Sequence, residues 1–139
     1  MTNNPTMHPH IQTLIEIIKT TVKQNIISII LFGSAAKGHL KKESDIDLLI
    51  IVKEYNETVC KEYWKQIKKK GYQMLGIPID PIFAEETALK DFTSPFYLDI
   101  IADGKMIYGK DVLDKTTFER YNIAPITTDG VRIGWRVSA

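Results

Sequence analysis

LFGSAAKGHLKKESDIDLLIIV, residues 31–52, decides the fold and raises the functional question. It continues the run Ile26–Phe32, IISIILF, whose unbroken apolar character reads as a strand buried on both faces and therefore central in its sheet. Gly33 to Gly38 reads as a turn that includes one short helical turn, and His39 to Glu43 as a polar loop. Asp45 to Val52 is then a second strand, rich in β-branched residues. Side chains two apart on a strand share a face. Asp45 and Asp47 therefore point one way, while Ile46, Leu48 and Ile50 point into the core. A half-buried carboxylate is costly unless a cation meets it.

The alternation argues against a calcium loop, which is polar throughout and carries a glycine and a distal glutamate. A pair of aspartates alone is also what a solvated strand end looks like, so the residues before it carry the weight. Glycine at position 33 lets the backbone approach a phosphate closely, and Ser34 offers a hydroxyl and a backbone N–H. The short helical turn aims its first amides at the same anion, and Gly38 supplies a positive-φ exit. A phosphate cradle beside paired carboxylates suits a magnesium–nucleotide complex, because magnesium takes one or two carboxylates together with phosphate oxygens. A third carboxylate is expected from a neighbouring strand. Asp80, in Gly76–Asp80 (GIPID), has apolar neighbours, and an aspartate there belongs either to a site or to a basic partner. Three converging carboxylates repel one another, which raises their proton affinity until metal binds. Two magnesium ions would relieve this and hold both oxygens of an in-line phosphoryl displacement.

Outward from this stretch the periodicities predict alternating elements. Ile11, Leu14, Ile15, Ile18 and Val22 recur at helical spacing and give a helix over His10–Lys23. Thr58–Lys70 reads as a charged amphipathic helix with Val59, Tyr63, Trp64 and Ile67 on its core side and Gly71 as its stop. Lys68, Lys69 and Lys70 then complement the dipole at its end. Ile77–Phe83 is a third strand, confined by its prolines to an edge or to an irregular strand. Short helices follow at Thr87–Phe92 and Pro95–Ala102, a strand at Lys105–Tyr108 and a last helix at Asp111–Tyr121. Residues 1–9 read as a loose leader, 10–121 as the folded domain and 122–139 as a tail. In that tail Val131, Ile133, Trp135 and Val137 alternate with Arg132, Gly134 and Arg136 behind an Asp129-Gly130 turn. Two readings stay open for it: an edge strand packed on its own domain, or a docking segment for a partner or second subunit.

A chain of 139 residues, 44% hydrophobic and 25% charged, suits one globular domain, and the helices and strands read above make it a mixed α+β fold. A net charge of +1 gives no global field for non-specific nucleic-acid binding. The single cysteine, Cys60, forms no internal disulfide, which fits a reducing cytoplasm; it reads as a small semi-buried helix residue. No apolar run approaches a membrane span. His8 and His10 flank Pro9 without a third ligand, His39 reads as a surface residue of the loop, and Asp99 and Asp103 stand too far along the chain to join the aspartates.

Gly33-Ser34, Gly38 and Ser44-Asp45-Ile46-Asp47, with Asp80 as third carboxylate, resemble the GSxxxG…SDxD signature of the DNA polymerase β nucleotidyltransferase superfamily, and most closely its minimal single-domain members. The resemblance runs from the first helix to Tyr108. It implies a small nucleotidyltransferase fold, a central mixed sheet flanked by helices. It implies Asp45, Asp47 and Asp80 as catalytic metal ligands for two magnesium ions, and Gly33, Ser34, Lys37, Gly38 and Ser44 as contacts to ATP. Many minimal members carry arginine directly after the Gly-Ser pair; Ala35 stands there instead, and Lys37 is the better substitute than Lys41 or Lys42. Minimal members are often encoded beside a helical HEPN-type partner, and some act as antitoxins that transfer AMP to a partner tyrosine. That acceptor is expected here. The length of the chain argues against the primer-gripping domains of a template-reading polymerase. A small-molecule hydroxyl acceptor, or a non-catalytic nucleotide- or partner-binding module of the same fold, are the alternatives, and a homo-oligomer is compatible with each.

Overall fold

The computed structural model describes residues 9–36, 45–91 and 93–138. Helix α1 (Pro9–Val22) leads through a 3-10 turn (Lys23–Asn25) into strand β1 (Ile26–Phe32) and the single-turn helix α2 (Gly33–Ala36). Strand β2 (Ile46–Val52), helix α3 (Glu57–Leu75) and strand β3 (Ile79–Glu85) form a crossover unit, with β2 and β3 parallel. A 3-10 turn (Glu86–Lys90), helix α4 (Pro95–Asp103) and strand β4 (Lys105–Gly109) complete the sheet, in the order β3-β2-β1-β4. The central place of β1 and the edge place of β3 follow from an uninterrupted apolar run in the one and Pro81 in the other. After the short helix α5 (Thr117–Arg120), β5 (Ile123–Thr128) and β6 (Val131–Val137) pair as a separate antiparallel hairpin. Its turn, Asp129-Gly130, has φ values of 54° and 78°, the left-handed pair that a tight hairpin needs.

The two-residue period of the strands divides the core in two. Ile29 and Leu31 of β1, Ile46, Leu48, Ile50 and Val52 of β2, and Ile79 of β3 pack against α1 and α3. Ile30, Leu49, Ile51 and Ala84 face the opposite side and pack against α4 and its neighbours. Each fully buried Ile or Leu contributes about 1.5–3 kcal/mol of burial free energy. Among the described residues, no helix is long and apolar enough to cross a membrane.

Several expectations need correction. Helix α3 does not stop at Gly71 but runs to Leu75, and Gly76 ends it with φ 69° and its N–H bonded to Tyr72 O at 2.8 Å. Gly71 is instead a packing glycine: a Cβ there would lie 2.6 Å from Ile79 Cγ1. Because the helix continues for another turn, Lys68, Lys69 and Lys70 do not sit at its terminus. Its core side is Cys60, Ile67 and Gly71, with Tyr63 half-buried against Phe83, whereas Val59 and Trp64 are exposed. Strand β3 starts at Ile79, not Ile77; Pro78 O instead accepts Ile46 N at 3.0 Å. The helix expected over Asp111–Tyr121 shrinks to Thr117–Arg120. Asp111 Oδ1 accepts Leu113 N and Asp114 Oδ1 accepts Thr116 N, local side-chain turns that compete with helix formation.

Candidate active site

Register brings the carboxylates together. In the parallel β2–β3 pair Asp47 stands directly beside Asp80, and across the antiparallel β1–β2 pair it faces Phe32. Asp45, Asp47 and Asp80 all fall on the side of the sheet that carries Leu49 and Ile51, away from α1 and α3. Asp47 and Asp80 are half-buried and Asp45 is exposed. Burial pushes the Asp47 carboxyl above the usual carboxylate range, the charges of Asp80 and then Asp45 push it further, and a hydrogen bond with Asp80 adds to the rise. Asp80 thus crowds Asp47 across the strand pair by charge and by hydrogen bond, while Asp45 acts on Asp47 through its charge alone.

Gly33 closes the site from the β1 side. It has φ +72° at the strand-to-helix junction, and a Cβ there would overlap Asp47 Oδ2. Only glycine lets the backbone of this turn lie against the carboxylate. Ser34 follows it, half-buried in α2. Lys37, Gly38 and Ser44, and with them His39, Lys41 and Lys42, lie outside the described residues. Among the described residues no group of three Asp, Glu, His or Cys side chains is closed tightly enough to hold a metal ion as it stands. The donor chemistry nonetheless fits a hard divalent cation: carboxylate oxygens only, a repulsion at Asp47 that a cation would relieve, and a glycine-lined wall.

A second group of residues at the site was not foreseen. A cavity of about 200 Å³ opens beside Gly33, lined by Phe32, Phe96, Asp99, Asp103 and Arg132. Phe32 and Phe96 meet edge to face, with ring centroids 5.5 Å apart. Asp99 and Asp103 do not join the carboxylates of β2 and β3; they bind Arg132 of the hairpin, whose guanidinium donates to Asp99 Oδ1 at 3.0 Å and also to Asp103 Oδ2. The sequence held a signal for this: Asp99 and Asp103 are four apart on one helix and so share a face, and the basic residues of the tail needed acidic partners.

Residues 12–113 match the family model described as polymerase beta, nucleotidyltransferase. A relative from Methanocaldococcus jannaschii, "Putative protein adenylyltransferase MJ1305", is 36% identical over 106 residues, 73% of this chain and 70% of the relative. MJ0604 of the same organism, which carries the same protein name, is 30% identical over 99 residues, 70% of this chain and 94% of its own. Among solved structures, a toxin-antitoxin with AMP-PNP superposes with a TM-score of 0.55 at 17% identity, covering 80% of this chain and 86% of that one. The spectinomycin adenyltransferase AAD(9) from Enterococcus faecialis, with ATP and spectinomycin, superposes with a TM-score of 0.56 at 17% identity, covering 80% of this chain and 62% of that one. At such identities the two structures speak for the fold, while the family model and the relatives speak for descent. The chain belongs to the polymerase beta nucleotidyltransferase family and is a nucleotidyltransferase.

Proposed function

We propose that this chain transfers AMP from ATP to a hydroxyl of a partner protein, and that the acceptor is a tyrosine of a HEPN-type helical toxin. The observation that carries the reading is the in-register pair Asp47–Asp80, with Gly33 packed on Asp47. Relatives named for protein adenylylation and a fold neighbour that is a toxin-antitoxin with AMP-PNP support the same direction. Asp45, Asp47 and Asp80 would hold magnesium, which supplies charge neutralisation at the phosphates and a lower pKa for the acceptor hydroxyl. Gly33 and Ser34 bind the outer phosphates through backbone and hydroxyl donors, and Lys37, Gly38 and Ser44 extend that grip. The acceptor oxygen attacks the α-phosphorus in line; its bond to phosphorus forms as the bridge to the β-phosphate breaks, and pyrophosphate leaves. The hydroxyl proton passes to Asp80. The cavity beside Gly33, at about 200 Å³, is too small for a whole nucleotide and accepts one ring of a substrate.

Incubation with α-labelled ATP, magnesium and the candidate helical partner tests the reaction. Label is expected on the partner's tyrosine and absent with Asp47→Asn. Label on neither protein, together with no rise in melting temperature on adding magnesium and ATP, overturns the catalytic reading in favour of a binding module.

A further inference from the structure

The outer face of α3 is built unlike a merely solvated helix. Trp64, Lys65, Lys68, Lys69 and Tyr72 recur at helical spacing and, with Pro78, line an open groove of about 640 Å³. Both aromatic residues are well exposed, Trp64 at 41% and Tyr72 at 59%. Lys68 is held in place: its Nζ donates to Ile79 O at 3.1 Å and lies 4.9 Å from the Trp64 ring centroid. Lys65 and Lys69 are exposed, and among the described residues neither forms an ion pair. Lys61, Lys65 and Lys69 follow one another at four-residue spacing, where like charges repel. The helix therefore retains repulsion that a single glutamate at the middle position would turn into attraction.

We infer that this groove docks an acidic, aromatic-bearing segment of a polypeptide partner. The occupant is chosen by charge complementarity, lysines without carboxylates beside exposed rings, and by position. The groove ends at Ile79, one residue before Asp80, on the α3 side of the edge strand. A segment seated there lies across the sheet from the carboxylates, and its following residues reach them only by passing round the free edge of β3. The choice of a protein over a nucleic acid rests on the proposed polypeptide acceptor. Two observations agree with it: one face of Trp64 is covered by Lys68, which limits base stacking, and the whole chain carries only +1.

The test uses the full chain with a fluorescein-labelled random copolymer of glutamate and tyrosine, read by anisotropy, beside a lysine–tyrosine copolymer and an oligo-uridine RNA. The wild type is expected to bind the acidic copolymer, more weakly at high salt, and not the basic one. Lys65→Glu combined with Lys69→Glu is expected to weaken binding by about tenfold, which is about 1.4 kcal/mol. A melting curve on each protein verifies folding, and Trp64→Ala gives an uncharged second variant with the same expected direction. Absence of copolymer binding by the wild type, or equal binding by the charge-reversed protein, overturns the proposal. Tighter binding of the RNA, lost in the variant, overturns it in favour of a nucleic-acid surface. The rise in melting temperature with magnesium and ATP is recorded in parallel. Copolymer binding without that rise supports the docking surface and removes only the transfer reaction, whereas the rise without copolymer binding removes only the surface.

Discussion

The two faces of the sheet are closed by different means. Toward α1 and α3, Ile46, Leu48, Ile50 and Val52 meet an extended apolar cluster. Toward α4 the same strand presents Leu49 and Ile51 in the middle and Asp47 at its start. There the cover is a 3-10 turn, a nine-residue helix and a hairpin held partly by polar contacts. One strand thus anchors the fold with its even-numbered residues and offers chemistry with its odd-numbered ones, because the side-chain period is two. The lesson is that a repelling carboxylate group is tolerable when the stability of its strand is secured on the reverse side.

Neighbouring residues 47 and 48 break or confirm this contrast most directly. Leu48→Ala empties part of the closed face and is expected to lower stability by about 2–5 kcal/mol, measured by urea unfolding. Asp47→Asn is expected to do the reverse. It removes a candidate metal ligand, so nucleotide transfer falls by at least about a hundredfold, the upper end of what losing a mere supporting residue costs. Its melting temperature holds or rises. The Asp47 carboxyl has a raised pKa in the folded protein, so folding holds its proton more tightly than the open chain does. Below the ordinary carboxylate pKa both states are protonated and nothing is lost. As pH rises past that value and then past the folded pKa, ionisation progressively destabilises the native state. The advantage of Asp47→Asn over wild type, followed by melting temperature without metal, is therefore expected to grow from about pH 4 toward neutrality. A difference that shrinks over the same range would refute the crowding of Asp47 by burial and its acidic neighbours.

How much of this was legible follows from where the information lies. The strand β1, the edge position of β3 and the facing of Asp45 and Asp47 depend on local pattern, and local pattern is written in the chain. The pairing of Asp80 with Asp47 is a matter of register: the apolar surroundings of Asp80 and the family resemblance singled that residue out, but periodicity could not say which residue it stands beside. Gly71 and Gly76 show the limit of local signals: both follow a helical pattern, and only the closeness of Ile79 to Gly71 tells a packing glycine from a terminating one. Trp64 misled because an aromatic residue at helical spacing usually faces the core, and here it borders a groove. The hairpin's alternation was visible, but its attachment through Arg132 to α4 joins residues 29 and 33 positions apart.

Gly33→Ala gives the next smaller effect on stability. A methyl group there both occupies the left-handed region, at about 1–2 kcal/mol, and overlaps Asp47 Oδ2. The expected result is a modest fall in melting temperature together with loss of the ATP-dependent rise, since the turn must move away from the carboxylate. If the ATP response survives with only the stability loss, the close approach of the turn to Asp47 has no part in binding, and the open face is less specialised than its geometry suggests.

Arg132→Lys is the smallest change and the one that separates the two kinds of closure. The guanidinium bonds Asp99 and Asp103 and lies 4.6 Å from the Trp135 ring, while Trp135 Nε1 donates to Asp99 Oδ1 at 2.9 Å and its ring stacks on Phe118 at 4.9 Å. A two-stranded hairpin has little stability of its own, so these contacts hold β5 and β6 against α4 and α5. Lysine keeps the charge but not the fork that spans two carboxylates. The expected global cost is about 1 kcal/mol or less, because the pairs are partly exposed and screened. The local effect is larger: the hairpin loosens, proteolysis near residues 129 and 130 quickens, and Trp emission shifts toward the red as Trp135 meets water. Should Arg132→Lys lower global stability as much as Leu48→Ala, the hairpin would be part of one cooperative core and the contrast between the faces would fail. A local change with an intact core shows instead that the wall of the cavity beside Gly33 is held separately, by polar contacts that yield before the isoleucine face does.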